Sequence, residues 1–287
     1  MGSDRGDSVS ARRYSPTQLG YLREAGMVVA EIHAALRAAV KPGVTPKQLD
    51  GVAFETIKAA GAEPNFLDYE GFPASTCISV NDTVVHGIPD DRPLESGDLV
   101  SFDCGAYVLR EGRQWHGDAA FTMVVGGDAA AAERDLQLSR ITETAMWAGI
   151  AALWGARTVR AVGFAIEETV AVAADEHGWE AGIVAEYVGH GIGNEMHQDP
   201  PIPNYVFRGH AGRLRPGMCV CVEPIFTARS PENRVLADNW TVRTVDGSRA
   251  AHWEHQVAIT ADGLSVLTAP DFGRAGLASY GVPVVEV

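Results

Sequence analysis

The 287-residue chain has a net charge of −14, only three lysines (Lys41, Lys47 and Lys58) and 46% hydrophobic residues. That balance argues against a nucleic-acid backbone or an anionic membrane surface as the partner. No apolar run reaches the roughly 18 residues that span a bilayer, and no apolar signal segment follows the polar start, so a cytoplasmic protein is expected.

The length suits two ordinary domains or one large α/β domain. The four cysteines, Cys77, Cys104, Cys219 and Cys221, form no zinc-finger spacing. Cys219 and Cys221 would stand about 6.6 Å apart on one strand face, long for a disulfide, so reduced buried thiols are expected.

Residues 1–14 read as a disordered arm, charged and glycine-containing. Ser15-Pro16 is a helix start, with serine as cap and proline at the first helical position. Leu19, Leu22, Val29, Ile32, Leu36 and Val40 then recur mostly at helical spacing. Lys41-Pro42-Gly43 ends that helix, and Thr45-Pro46 opens a second one that runs to Gly61. Tyr69 to Pro73 reads as a turn-rich loop and Thr76–Val80 as a strand. Leu94 to Asp103 is turn and strand; a loop through 106–116 reaches Gly117-Asp118, and 119–125 is a further strand. A helix over 129–153 is broken by Gly155. Thr158 is expected to cap another helix ending near His177. Strands follow over 183–188, 217–223 and 255–260.

This order repeats itself. Leu94-x-x-Gly97 leads through an apolar strand to Asp103; Leu214-x-x-Gly217 leads through another to Glu223, with the same spacing of six from glycine to carboxylate. Asp118 and Glu254 open later strands. Helix, helix, strand, strand therefore occurs twice, over about 15–127 and 128–268, with 269–287 as a tail. The expected architecture is a single α/β (α+β) domain over 15–287, its two pseudo-symmetric halves sharing a continuous curved antiparallel sheet. Alternation puts Asp103 on the face of Leu99 and Ser101, and Glu223 on that of Cys219 and Cys221. A carboxylate on an apolar face is costly unless paired or bound to metal.

Two of the nine histidines, His190 and His197, sit in a glycine-rich stretch closed by Pro200. Asp103, Asp118, His190, Glu223 and Glu254 together make an oxygen-rich set with one imidazole. Such a set suits two hard or borderline divalent ions better than a structural zinc.

His86-Gly-Ile-Pro, Ser101-Phe-Asp103, Gly117-Asp118, Gly189-His190-Gly-Ile-Gly…His197, Val222-Glu223-Pro224 and Glu254-His255 resemble, in order, the motif set of type I methionine aminopeptidases. The resemblance spans about Ser15 to Leu267 and implies the family's pita-bread fold. It implies that Asp103 binds one metal, that Asp118 and Glu254 bridge two, and that His190 and Glu223 complete the second site. The ions would be cobalt, manganese, iron, zinc or similar. It further implies that a metal-bridging water attacks the first peptide bond with Glu223 as proton shuttle. His86 and His197 would hydrogen-bond the substrate. Tyr69, Phe72, Cys77, Met196 and Trp240 fall where the family lines its methionine pocket; Met196 stands where many relatives have an aromatic.

The implied activity is removal of the N-terminal methionine from nascent proteins whose second residue is small. The implied partners are those N-terminal segments, with transient ribosome association and a monomeric state. Glu254 lies only 31 positions after Glu223, too few for the helical insertion that the resemblance associates with type II enzymes. The loop 106–116 looks longer than in short bacterial relatives. Two other readings fit the same fold: an X-Pro aminopeptidase or prolidase, whose relatives usually carry an extra N-terminal domain, and an inactive peptide-binding protein, which would lose metal ligands that this chain keeps.

Overall fold

A computed structural model describes residues 12–209 and 211–287. Helix α1 (Pro16–Ala39) and helix α2 (Pro46–Ala59) each begin at a reciprocal cap. The Ser15 and Thr45 hydroxyls accept from the backbone N–H of Gln18 and Gln48, whose amide oxygens accept in return from the caps' own N–H groups. On α1, Leu22, Val29, Ile32 and Leu36 form one fully buried stripe. Each stabilises the fold by about 1.5–3 kcal/mol relative to exposure.

That stripe covers the first large sheet. Strand β1 (Thr76–Val80) leads into β2 (Thr83–Val85), then β3 (Leu99–Arg110) and β4 (Arg113–Val124). Strands β3 and β4 pair antiparallel along their whole length, and β1 pairs with the other edge of β3. The segment 106–116, expected as a loop, is therefore the end of a hairpin. Ala106, Val108 and Trp115 are buried against α1, and the two-residue turn Glu111-Gly112 has φ of 53° and 69°, the twist that suits a tight hairpin.

The second half begins with α3 (Glu133–Ala151) and α4 (Arg160–His177). The helix expected from 129 starts four residues later, because 128–130 form a separate 3-10 turn. Thr158 does not cap α4: it pairs as a β-bridge with Arg213, and Val159 occupies the cap position. Strands β5 (Gly189–Gly191), β6 (Gln198–Ile202), β7 (Cys219–Val222), β8 (Ile225–Thr227), β9 (Val242–Thr244), β10 (Ala250–His252), β11 (His255–Ile259) and β12 (Leu264–Val266) follow. The strand expected over 183–188 is confined to Gly182–Ile183; Val184 is still held through its N–H to the Ile225 carbonyl, but 185–188 carry no ladder.

The second large sheet has the order β12-β11-β7-β5-β6, and all its pairings are antiparallel. It joins the first through a bridge between Ala120 and Glu254. Two helix pairs thus cover one extended antiparallel layer, each over its own core. This is the architecture that the resemblance implies, two similar halves over a shared antiparallel layer. All four cysteines are free and buried. Of the arm expected over 1–14, residues 1–11 lie outside the described residues. Its last residues are docked: the Tyr14 hydroxyl donates to Gln198 Oε1 at 2.8 Å, and its N–H donates to the Gly217 carbonyl at 2.6 Å. Among the described residues no helix is long and apolar enough to cross a membrane.

Candidate metal centre and peptide pocket

Each carboxylate reaches the site by a separate route. Asp103 and Asp118 lie on the adjacent strands β3 and β4, where Gly105 faces Asp118 and Asp103 faces Ala120. Glu223 directly follows β7, and Glu254 directly precedes β11. The register of His255 against Val222 brings those two strand ends together. His190 is the middle residue of β5, so it sits on short regular strand within its glycine-rich stretch.

The side chains converge. Carboxylate oxygens of Asp103, Asp118 and Glu254 lie within 4.8 Å of one another. His190 Nε2 is 3.5 Å from Glu223 Oε1 and 4.0 Å from Asp118 Oδ2. Asp103 Oδ1, Asp118 Oδ1 and Glu254 Oε1 are buried with no hydrogen-bond partner among the described residues.

Burial pushes the Asp103 carboxyl up to about 7. Burial, and then the charges of neighbouring carboxylates, push Asp118, Glu223 and Glu254 well above the ordinary carboxylate range. Burial drives His190 down to about 3. Arg12, at the rim, is the sole arginine or lysine among the described lining residues, and it is paired with Asn194 and Glu195. Four carboxylates crowded without an internal cation are unfavourable as anions. Acceptor-only oxygens at this spacing, beside one neutral imidazole, fit divalent cations, which would reverse that preference.

A cavity of about 870 Å³ opens onto these residues, and every residue predicted for the site lines it. One end is apolar: Phe66, Phe72, Ala74, Cys77 and Met196 form a small buried cluster, with Ile88 and Trp240 packed against it. Phe72 and Trp240 meet edge to face at 5.2 Å. Trp240 is presented by a turn in which Asp238 Oδ1 accepts from the N–H groups of Trp240 and Thr241. Outside the cavity lining, Asp50 Oδ1 accepts from the N–H groups of Ser75 and Thr76 and from the Thr76 hydroxyl, which fixes the strand carrying Cys77.

His86 and His197 stand between the two ends. His86 has φ of 56°, a conformation that costs energy for a non-glycine residue. At its neighbour Gly87 a Cβ would lie 2.3 Å from the Ile78 carbonyl oxygen, so only glycine lets the chain pass this close to β1. His197 Nδ1 is 3.1 Å from the Tyr69 hydroxyl, and its ring lies edge to face with His190 at 4.5 Å. A ring nitrogen of His197 also falls within 4.8 Å of ligand atoms of Asp118 and His190.

Two further residues reach the site without having been singled out for it. The Cys221 thiol lies within 4.8 Å of ligand atoms of His190 and Glu254. His252 lines the cavity with its Nε2 3.8 Å from Glu223 Oε2. Cys221 was marked by strand alternation, two residues before Glu223; His252 carried no such mark, because it ends β10 and Glu254 precedes the separate strand β11.

Comparison with known proteins gives the family. Residues 20–261 match the model of metallopeptidase family M24. The chain is 46% identical over 265 residues to methionine aminopeptidase 1 of Mycobacterium tuberculosis (strain CDC 1551 / Oshkosh), covering 92% of this chain and 97% of that one. It is 41% identical over 254 residues to methionine aminopeptidase 1 of Bacillus subtilis (strain 168), covering 88% and 97%. The crystal structure of a methionine aminopeptidase from Thermotoga maritima superposes with a TM-score of 0.82 at 36% identity, over 90% of this chain and 99% of that one.

Proposed function

The chain belongs to metallopeptidase family M24, and on that premise we propose that it removes the N-terminal methionine from nascent proteins whose second residue is small. The observation that carries this reading is the junction of an apolar pocket with a buried carboxylate cluster. The pocket selects the first side chain, and the cluster stands where the first peptide bond would lie.

Asp103, Asp118, His190, Glu223 and Glu254 are the residues that would hold two divalent ions, with Asp118 and Glu254 shared between them. When bound, the ions supply Lewis-acid polarisation of the scissile carbonyl and make water a nucleophile at neutral pH. Iron(II), manganese, cobalt and zinc all suit this ligand set.

The protein's own groups do the rest. Glu223 takes the proton of the attacking water and passes it to the leaving amine. His86 and His197, neutral through burial, hydrogen-bond the peptide and the oxyanion that develops on it. Tyr69 fixes the His197 ring through Nδ1. Phe72, Cys77, Met196 and Trp240 take the methionine side chain; an unbranched thioether packs well against aromatic edges and a thiol. The substrate is the N-terminal segment of a newly made protein, which places the work in the cytoplasm, with transient contact at the ribosome.

The test is a substrate panel. The metal-loaded protein is expected to release methionine from Met-Gly-Met-Met and to leave an Ala-Pro dipeptide intact. Cleavage of Ala-Pro but not of Met-Gly-Met-Met would assign the X-Pro reaction instead, and no cleavage with any metal would assign a binding role.

A further inference from the structure

We infer that His252 is a positioning residue for Glu223, an inference that rests on the reading of Glu223 as proton shuttle and metal ligand. His252 is 2% exposed and lines the catalytic cavity. Its Nε2 is buried, has no hydrogen-bond partner among the described residues, and lies 3.8 Å from Glu223 Oε2. The other carboxylate oxygen, Oε1, lies 3.5 Å from His190 Nε2. Glu223 is thus flanked by an imidazole on each oxygen, and only His190 belongs to the proposed ligand set.

The backbone of His252 is clamped on both sides. Its N–H donates to Thr122 Oγ1 at 3.0 Å and reaches Ser101 Oγ at 3.2 Å. The Thr122 hydroxyl donates to the His252 carbonyl at 2.7 Å, and the Ser101 and Thr122 hydroxyls are 2.8 Å apart. Ser101 is two residues before Asp103 on β3, and Thr122 is four residues after Asp118 on β4. Strand alternation puts those hydroxyls on the same faces as the two aspartates. The ring of His252 is therefore referenced to the strands that carry Asp103 and Asp118, while it points at a carboxylate delivered by the other half of the fold.

A neutral imidazole protonated on Nε2 is a single directed donor. At 3.8 Å it reaches Glu223 Oε2 after a small side-chain adjustment or through one bridging water. That contact holds one carboxylate rotamer, leaving Oε1 toward His190. Partners of this kind orient metal-binding side chains, and their loss typically costs 10–100-fold in metal affinity or activity.

The experiment compares His252→Leu and His252→Gln in the full chain, with His252→Asn replacing the leucine variant should that one not fold. Metal binding is read by calorimetry without substrate, and kcat and KM are read separately on Met-Gly-Met-Met. The leucine variant is expected to bind its weaker ion about 10-fold less tightly and to lose 10–100-fold in kcat with KM little changed. Glutamine, which keeps an N–H donor, is expected to restore most of both. In a Glu223→Ala background, His252→Leu is expected to have no further effect on metal binding, because the side chain it acts through is gone. Equal impairment of the leucine and glutamine variants, full additivity with Glu223→Ala, or unchanged metal affinity would overturn the assignment. The calorimetry reads the His252–Glu223 relationship even if methionine release fails, so the two readings can fail separately.

Discussion

Ala120 and Glu254 exchange backbone hydrogen bonds across the seam between the two halves: the Glu254 N–H donates to the Ala120 carbonyl at 3.0 Å, and the Ala120 N–H donates to the Glu254 carbonyl at 3.3 Å. Ala120 is two residues from Asp118 on β4, so their side chains share a face. The seam thereby sets Glu254 beside Asp118 and makes their separation a property of the backbone. Both carboxylates would be shared between ions, and a backbone constraint is stiffer than any side-chain contact that could hold them.

Asp118→Ala should lower bound metal and activity together. Elemental analysis of the purified variant is expected to show less than the full metal complement, and turnover should fall with it. Full metal content would contradict the shared-ligand role.

Glu223→Gln should fold normally, because the amide fills the same space and can still pair with His190. Turnover on Met-Gly-Met-Met is expected to fall by about 10²–10⁴-fold, the usual worth of a positioned acid–base group. Near-normal kcat would remove Glu223 from the proton transfer.

The pocket wall gives a prediction on KM. Trp240 is partly exposed and touches Phe72 edge to face at 5.2 Å. Trp240→Ala should raise KM for Met-Gly-Met-Met by roughly 10-fold, through loss of about 1.5 kcal/mol of apolar and aromatic contact. The melting temperature should move by only a few degrees. An unchanged KM would place Trp240 outside the methionine pocket.

His33, which meets the backbone beside Asp118, supplies a pH signature in the stability of the fold. Burial first, then the nearby His255 and Arg37, lowers its pKa to about 3, and its Nε2 is 3.1 Å from the Ala119 carbonyl oxygen. The unfolded chain titrates near 6.5. The folded value is depressed, so the stabilisation is complete above about pH 6.5 and is lost as pH falls toward 3. Against His33→Gln, the wild-type advantage in urea unfolding should shrink by about 2 kcal/mol between pH 7.5 and pH 5. A constant difference would show that His33 does not resist protonation in the fold.

The sequence revealed most clearly what is written locally. Ser15-Pro16 and Thr45-Pro46 marked helix starts because caps are short-range chemistry. The carboxylates stood out because Asp103 and Glu223 interrupt apolar strand faces at matching positions. The hairpin 99–124 was half-hidden: its turn, Glu111-Gly112, carries polar neighbours such as Arg110 and Arg113, and its pairing depends on packing under α1. Thr158 looked like a cap, but its backbone was claimed by Arg213, more than fifty residues away. His252 was unremarkable until the fold put Glu223 beside it.

The most direct measurement is a metal titration of the chelator-treated full chain, following heat of binding and release of methionine from Met-Gly-Met-Met in parallel. Turnover should be absent without metal and should rise with occupancy of the carboxylate site, in the wild type but not in Asp118→Ala. Methionine release that persists in excess chelator, or metal binding at full occupancy with no release, would contradict the account.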